Sequence, residues 1–115
     1  MSLIQVLKIA AALATIGVGV FSLTRPRQVL AFTGLQASGG RGISEIRAIL
    51  GGLFIALGLA PLLLNDPVAY QMLGIANVGI AIARAASMFV LDNAVTQSNS
   101  TSLVFEVTFG VILLL

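Results

Sequence analysis

Long apolar runs, each about as long as a bilayer is thick, constrain the fold of this chain more than any other feature. The first run extends over residues 3–23, and Gln5 and Lys8 are its strongly polar members. A helix of this length spans roughly 31 Å at about 1.5 Å per residue, which matches one hydrocarbon core. A cleaved signal peptide is the alternative, but Lys8 lies inside the run and the run exceeds the usual apolar region of about 7–15 residues. We therefore predict a transmembrane helix.

Composition supports lipid as the surrounding solvent of a single transmembrane domain over residues 1–115. Hydrophobic residues make up 58% of the chain and charged residues 9%, whereas soluble domains carry about 25% charged residues. The chain has no cysteine and no histidine, so disulfides, thiolate chemistry and the usual metal ligand sets are excluded, and no metal site or cofactor is evident. The net charge of +2 comes from scattered bases with 6% aromatic residues, which argues against nucleic-acid binding.

Three further spans are predicted, at residues 43–64, 68–91 and 102–115, and they complete an all-α, integral membrane four-helix bundle. The Asn-Asp-Pro sequence at 65–67 predicts a tight turn, so the second and third spans should be antiparallel neighbours. The last apolar run covers only roughly 20 Å unless its helix begins inside the preceding polar stretch. We expect either that the natural chain continues past Leu115 or that the bilayer is locally thin there.

The connection at residues 24–42 has two interpretations. Thr24 is positioned to cap a helix with Pro26 in its first turn and an apolar face at Val29, which would suit a short helix in the membrane interface. The alternative is an ordinary polar loop. Because the connection holds three arginines and the 65–67 turn holds none, the positive-inside rule predicts that residues 24–42 are cytoplasmic and that both termini lie outside.

Four ionised residues inside the predicted spans fall on one side of the bilayer: Glu45, Arg47, Arg84 and Glu106. Alternate ends of antiparallel helices share a membrane side, so all four belong to the same leaflet, with Asp92 nearer the surface. Intramembrane charges tend to face the interior and pair. Arg84 is the deepest, and Glu45 and Glu106 are its expected counter-ions.

A row of small residues on the second span sets the expected orientation of its charges. The row consists of Ser44, Ala48, Gly52, Ala56 and Ala60, which repeat at i, i+4 and would allow another transmembrane backbone to approach closely. Glu45 lies beside this row and is expected to face inward. Arg47 is about 200° away around the helix and is expected to extend to the headgroups.

Asn77 shares a helix face with Arg84, so a polar track from the two glutamates through Arg84 to Asn77 is expected. Three interpretations stay open: an ion pair that fixes helix register, a polar pocket for a headgroup, ligand or proton, and charges that only reach the interface.

The block Ser-Glu-Ile-Arg-Ala at residues 44–48 and the glycine pair 51–52, together with Arg84, Ser87, Asp92 and Glu106, resemble a DoxX-like family of small bacterial membrane proteins that is catalogued as a domain of unknown function. The resemblance covers nearly the whole chain, although Ile49 replaces the family's usual aromatic residue. It implies a four-helix fold in the bacterial inner membrane and a shared polar cluster at Glu45, Arg47, Arg84, Asp92 and Glu106. It implies no activity.

Three classes of function follow. The favoured one is a non-catalytic accessory or scaffold subunit that binds a membrane-protein partner or further copies of itself through small-residue helix faces such as Ala48, Gly52, Ala56 and Ala60. The alternative is binding or transport of a lipid, quinone or proton at Glu45, Arg84 and Glu106. The resemblance to DoxX-like proteins suggests a quinone by analogy alone. A membrane enzyme using Glu45 or Glu106 as acid or base is least favoured, because no nucleophile, metal set or phosphate loop accompanies them.

Overall fold

The computed structural model describes residues 1–115 and contains five helices and no strand. The helices are α1 (Leu3–Thr24), α2 (Pro26–Thr33), α3 (Gly39–Leu64), α4 (Pro67–Leu91) and α5 (Gln97–Leu114). α3 changes to π-helical geometry over Ile46–Leu53, and α4 ends in a π-helical turn, Ser87–Leu91. The prediction of an all-α fold is confirmed.

Helices α1, α3 and α4 are long and apolar enough to cross a membrane. The outside of the molecule is apolar as well, since only 18 of 115 residues are buried and large side chains such as Leu63, Met72 and Val90 are 76%, 67% and 79% exposed. Soluble monomers rarely expose contiguous apolar surface on this scale. Both observations indicate a membrane protein.

Helix α5 begins earlier than its apolar run. The Thr96 hydroxyl accepts a hydrogen bond from the backbone N–H of Asn99 at 3.2 Å, which caps the helix and starts it at Gln97, within the polar stretch. The predicted start at residue 102 was therefore too late. The 18 residues of α5 extend roughly 27 Å, but α5 is not among the three helices that are long and apolar enough to cross a membrane.

The connection between α1 and α3 contains a short helix, as the first of the two interpretations predicts. α2 has Pro26 at its first position, and Pro26 and Val29 are buried. Thr24 does not cap it: the Thr24 hydroxyl donates to the carbonyl of Val20 at 2.8 Å, closing α1 instead. The next helix starts at Gly39, four residues before the predicted start of the second span.

The helices pack most extensively in two pairs, α1 with α3 and α4 with α5. Glycines allow the close approach within each pair. A Cβ atom on Gly58 would lie 2.6 Å from the Ala12 carbonyl oxygen, and one on Gly110 would lie 2.9 Å from a methyl of Val78. Fewer contacts join the two pairs, around a buried core of Ala11, Ala12, Tyr70, Leu73 and Leu113.

The predicted small-residue row does not face another helix of the chain. Ser44, Ala48, Gly52 and Ala56 are exposed and Ala60 is half-buried. The faces that meet α1 carry Gly51 and Gly58 instead. The π-helical segment closes its hydrogen bonds over five residues, so each residue advances by less than the ~100° assumed for an α-helix, and the face of α3 is shifted. We call the exposed row Ser44, Ala48, Gly52, Ala56 and Ala60 the small-residue face.

Candidate functional site

Arg84 and Glu106 form a two-pronged ion pair between α4 and α5. Arg84 Nε lies 2.8 Å from Glu106 Oε1 and 3.1 Å from Oε2, and Arg84 Nη2 lies 2.8 Å from Oε2. Planar guanidinium and carboxylate groups match each other in this arrangement, which fixes geometry as well as charge. The predicted pairing of Arg84 with Glu106 is present.

Asn99 completes the set of Arg84 contacts. Its side-chain oxygen accepts a hydrogen bond from Arg84 Nη1 at 2.8 Å, while its amide nitrogen donates to the carbonyl of Ala94 at 2.9 Å. Arg84 is thereby tied through Asn99 to the loop that connects α4 to α5. We call Arg84, Glu106 and Asn99 the Arg84 cluster.

The Arg84 cluster is shielded and its two charges balance. The side chains of Arg84 and Glu106 are 29% and 14% exposed. Removing two charges from water is costly, and it is offset only where the geometry is good and the remaining donors are bonded. Each nitrogen of the Arg84 guanidinium has an acceptor here. The arrangement can hold α4 and α5 in one register.

Glu45 does not belong to this cluster, contrary to the prediction that it faces inward as a second counter-ion. It pairs with Arg41, and the two side chains are 55% and 77% exposed. The reason is the early start of α3 at Gly39, which places Arg41 on the same helix, one turn before Glu45. The predicted second span begins at residue 43 and so does not include Arg41.

Arg47 and Asp92 are exposed, as expected for residues near the membrane surface. Arg47 Nη1 donates to the carbonyl of Leu23 at 2.5 Å, at the end of α1. Asp92 Oδ2 accepts a hydrogen bond from the Ser87 hydroxyl at 2.6 Å, across the π-helical turn of α4. Neither residue contacts Arg84.

Asn77 does not extend the cluster along α4. Its side-chain nitrogen donates to the carbonyl of Leu73 at 3.0 Å, one turn back on its own helix. The expected polar track therefore ends at Arg84, and the side-chain N–H of Asn77 is bonded within its own helix.

Two of the depressions on the surface lie between the helices described above. One, of about 460 Å³, lies where α1 ends and α3 begins, and it is lined by Leu23, Gly40, Ile43, Ser44, Arg47, Ala48 and Gly52. The other, of about 330 Å³, lies between α4 and α5 and is lined only by apolar side chains. No group of three or more carboxylates is placed to hold a metal ion.

Asn99 is the member of the Arg84 cluster that the sequence interpretation missed. A signal was available, because Asn99 precedes Glu106 by seven residues, two helical turns, and so shares its face once the helix includes the polar stretch.

Comparison with known proteins gives one match. A family model described as a domain of unknown function, DUF4345, matches residues 3–115. No curated protein and no solved structure matches the chain. The expected membership of a family of unknown function is thus confirmed, while the DoxX-like relationship stays a resemblance. Because the match includes nearly every residue, the chain belongs to the DUF4345 family.

Proposed function

We propose that this chain is a non-catalytic scaffold subunit of a membrane complex, a four-helix bundle whose α5 is the fourth span and whose α3 binds a transmembrane helix of a partner. The observation that carries the proposal is the exposure of the small-residue face. Ala48, Gly52 and Ala56 are exposed along α3, and the nearest atom to a Cβ on Gly52 is a backbone oxygen of its own helix, 3.9 Å away. Small residues at such spacing let transmembrane backbones approach closely.

The use of glycine elsewhere in the chain supports this interpretation. Gly58 and Gly110 each face a neighbouring helix at a distance that admits no side chain. The molecule therefore already assembles its helices by the kind of contact that the small-residue face offers to a partner. Gly52 lies between Gly51 and Gly58 on the same helix but faces outward.

The Arg84 cluster has a structural role in this proposal. It neutralises two charges where α4 meets α5 and holds the polar start of α5 against α4, which is how a helix of this composition is retained in the bundle. The orientation follows the arginines: the connection at residues 24–42 faces the cytoplasm, at a bacterial inner membrane.

The alternative, binding of a quinone, lipid or proton at Glu45, Arg84 and Glu106, has less support. Glu45 lies with Arg41 outside the cluster, and the Arg84 nitrogens are already bonded to Glu106 and Asn99. A ligand would have to displace these contacts.

The test uses the absence of cysteine from the chain. Ala56→Cys places one thiol on the small-residue face, and Ile82→Cys places one on α4, where Ile82 is 66% exposed. In native membranes, a crosslinker with one thiol-reactive end and one photoreactive end, which inserts into any neighbouring C–H bond, should join Ala56→Cys to one partner in high yield and leave Ile82→Cys unjoined. Gly52→Leu should then abolish co-purification of the crosslinked partner, whereas Gly79→Leu, at another open position, should not.

A native mass corresponding to one chain alone, unchanged by Gly52→Leu, would contradict the proposal. Equal crosslinking from Ala56→Cys and Ile82→Cys would do so too, because it would show random collisions in the membrane plane.

A further inference from the structure

The end of the molecule that carries α2 has more positive charge than its own carboxylates balance. α2 contacts both the π-helical part of α3 and α5, so the α1 to α3 junction and the Arg84 cluster lie at the same end. Five arginines and three carboxylates lie there: Arg25, Arg27, Arg41, Arg47 and Arg84 with Glu45, Asp92 and Glu106. Salt bridges pair Arg84 with Glu106 and Arg41 with Glu45. Arg25, Arg27 and Arg47 have no carboxylate partner.

Arg47 differs from the other two unpaired arginines because it lines a depression. The depression of about 460 Å³ has Arg47, Ser44 and the backbone of Gly40 on its polar side. Leu23, Ile43, Ala48 and Gly52 complete the lining, and Ala48 and Gly52 lie on successive turns of α3, within its membrane-spanning length. A ligand that fits this surface has an anionic group at one end and hydrocarbon at the other.

The guanidinium of Arg47 is held in place by one hydrogen bond and keeps free N–H donors. Its Nη1 is bonded to the carbonyl of Leu23, which ties the side chain to the end of α1, and the other N–H groups have no acceptor within the chain. A guanidinium with free adjacent donors binds phosphate oxygens in a two-pronged manner. The residue also lies within the π-helical segment Ile46–Leu53, a geometry that is rare and frequent at functional sites.

We propose that this depression binds the headgroup of an anionic phospholipid, with the phosphate on Arg47 and Ser44 and an acyl chain along Ala48 and Gly52. Clusters of basic residues at the end of transmembrane helices attract anionic lipids, and Arg25 and Arg27 supply that general attraction here. Arg47 supplies the specific contact. The lipid and the partner helix of the proposed function would both contact Ser44, Ala48 and Gly52, so the lipid site is tested on the purified chain alone, where no partner helix competes for it.

The experiment is native mass spectrometry of the delipidated, detergent-solubilised protein with added phosphatidylglycerol or phosphatidylcholine. The native chain should bind one molecule of added phosphatidylglycerol, at least tenfold more tightly than phosphatidylcholine. Arg47→Gln should weaken phosphatidylglycerol binding about tenfold. Arg27→Gln is the matched control, because it removes the same charge from the same end without touching the depression, and it should change binding less than twofold. Inorganic phosphate at millimolar concentration should not displace the lipid.

Three outcomes would overturn the proposal: equal weakening by Arg27→Gln and Arg47→Gln, equal binding of the two lipids, or displacement by inorganic phosphate. Ser44→Leu provides a second variant, because it fills the depression and keeps every charge. If Arg47→Gln fails to fold, loss of phosphatidylglycerol in Ser44→Leu supports the site and retention refutes it.

Discussion

The geometry of the ion pair between Arg84 and Glu106 predicts how much folding free energy is lost when one partner is removed. Glu106→Leu removes the acceptor of three close contacts at 2.8 to 3.1 Å and leaves Arg84 with Asn99 alone. Breaking a buried pair on one side costs about 3–5 kcal/mol, because the remaining charge is uncompensated. Since Arg84 is 29% exposed, we expect the lower value, about 3 kcal/mol, or roughly a hundredfold in the folding equilibrium.

A double-mutant cycle separates this coupling from the loss of each side chain. Arg84→Leu should destabilise by a similar amount, whereas the double variant, which buries two leucines, should lie within about 1–2 kcal/mol of the native chain. Because the two single losses together far exceed the loss in the double variant, the expected coupling energy is at least about 4 kcal/mol. The assay is unfolding in mixed detergent micelles followed by the fluorescence of Tyr70, the single tyrosine of a chain without tryptophan, which is 4% exposed in the core.

The pair Arg41 and Glu45 is the control, because its side chains are 77% and 55% exposed. Its cycle should give a coupling of about 0.3–0.5 kcal/mol, the usual range for i, i+4 pairs on helices. If the Arg84 and Glu106 variants are additive within that same range, the argument that the cluster clamps α4 to α5 is refuted.

Three further predictions concern the helices themselves. Gly58→Leu should prevent close packing of α1 on α3 and lower the unfolding midpoint or abolish folding, whereas Gly79→Leu, where a Cβ meets nothing within 4 Å, should leave the midpoint nearly unchanged in the same micelle assay. Asn99→Ala removes a single hydrogen bond to Arg84 and should destabilise by about 1.5 kcal/mol, the low end for a hydrogen bond to a charged group, so a loss as large as that of Glu106→Leu would contradict the prediction. Thr96→Ala should cost about 1 kcal/mol through loss of the α5 cap and increase amide hydrogen exchange in its first turn; unchanged exchange would count against the cap.

The apolar runs predicted the positions of α1, α3 and α4 well, because run length and composition decide whether a helix can span hydrocarbon. The ends of helices were less predictable. α3 starts at Gly39 and α5 at Gln97, in stretches of glycine or polar residues whose composition alone favours a loop. Capping by Thr96 explains the second case, and it is a contact between specific atoms that hydropathy does not register.

The site was predictable where it depends on depth and not where it depends on rotation. Arg84 and Glu106 lie at similar depth on adjacent helices, and their pairing followed from the cost of isolated charge in lipid. The predicted orientations of Glu45 and of the small-residue face relied on helix geometry, and both differ from the structure. Glu45 pairs with Arg41, its i−4 neighbour, and the π-helical segment shifts the face of α3. A π-helical segment has no simple sequence signal, so a helical wheel drawn at ~100° per residue could not have found it.

The arrangement of the helices in two pairs has a mechanical consequence. Each pair is closely packed along its length, since the backbones of α1 and α3 meet at Gly58 and Gly110 of α5 packs against Val78 of α4, and the Arg84 cluster adds a second contact between α4 and α5. The seam between the pairs has fewer contacts and is crossed by the two-residue turn Asn65–Asp66. Lateral pressure from the bilayer would therefore displace one pair against the other along this seam before it deformed either pair.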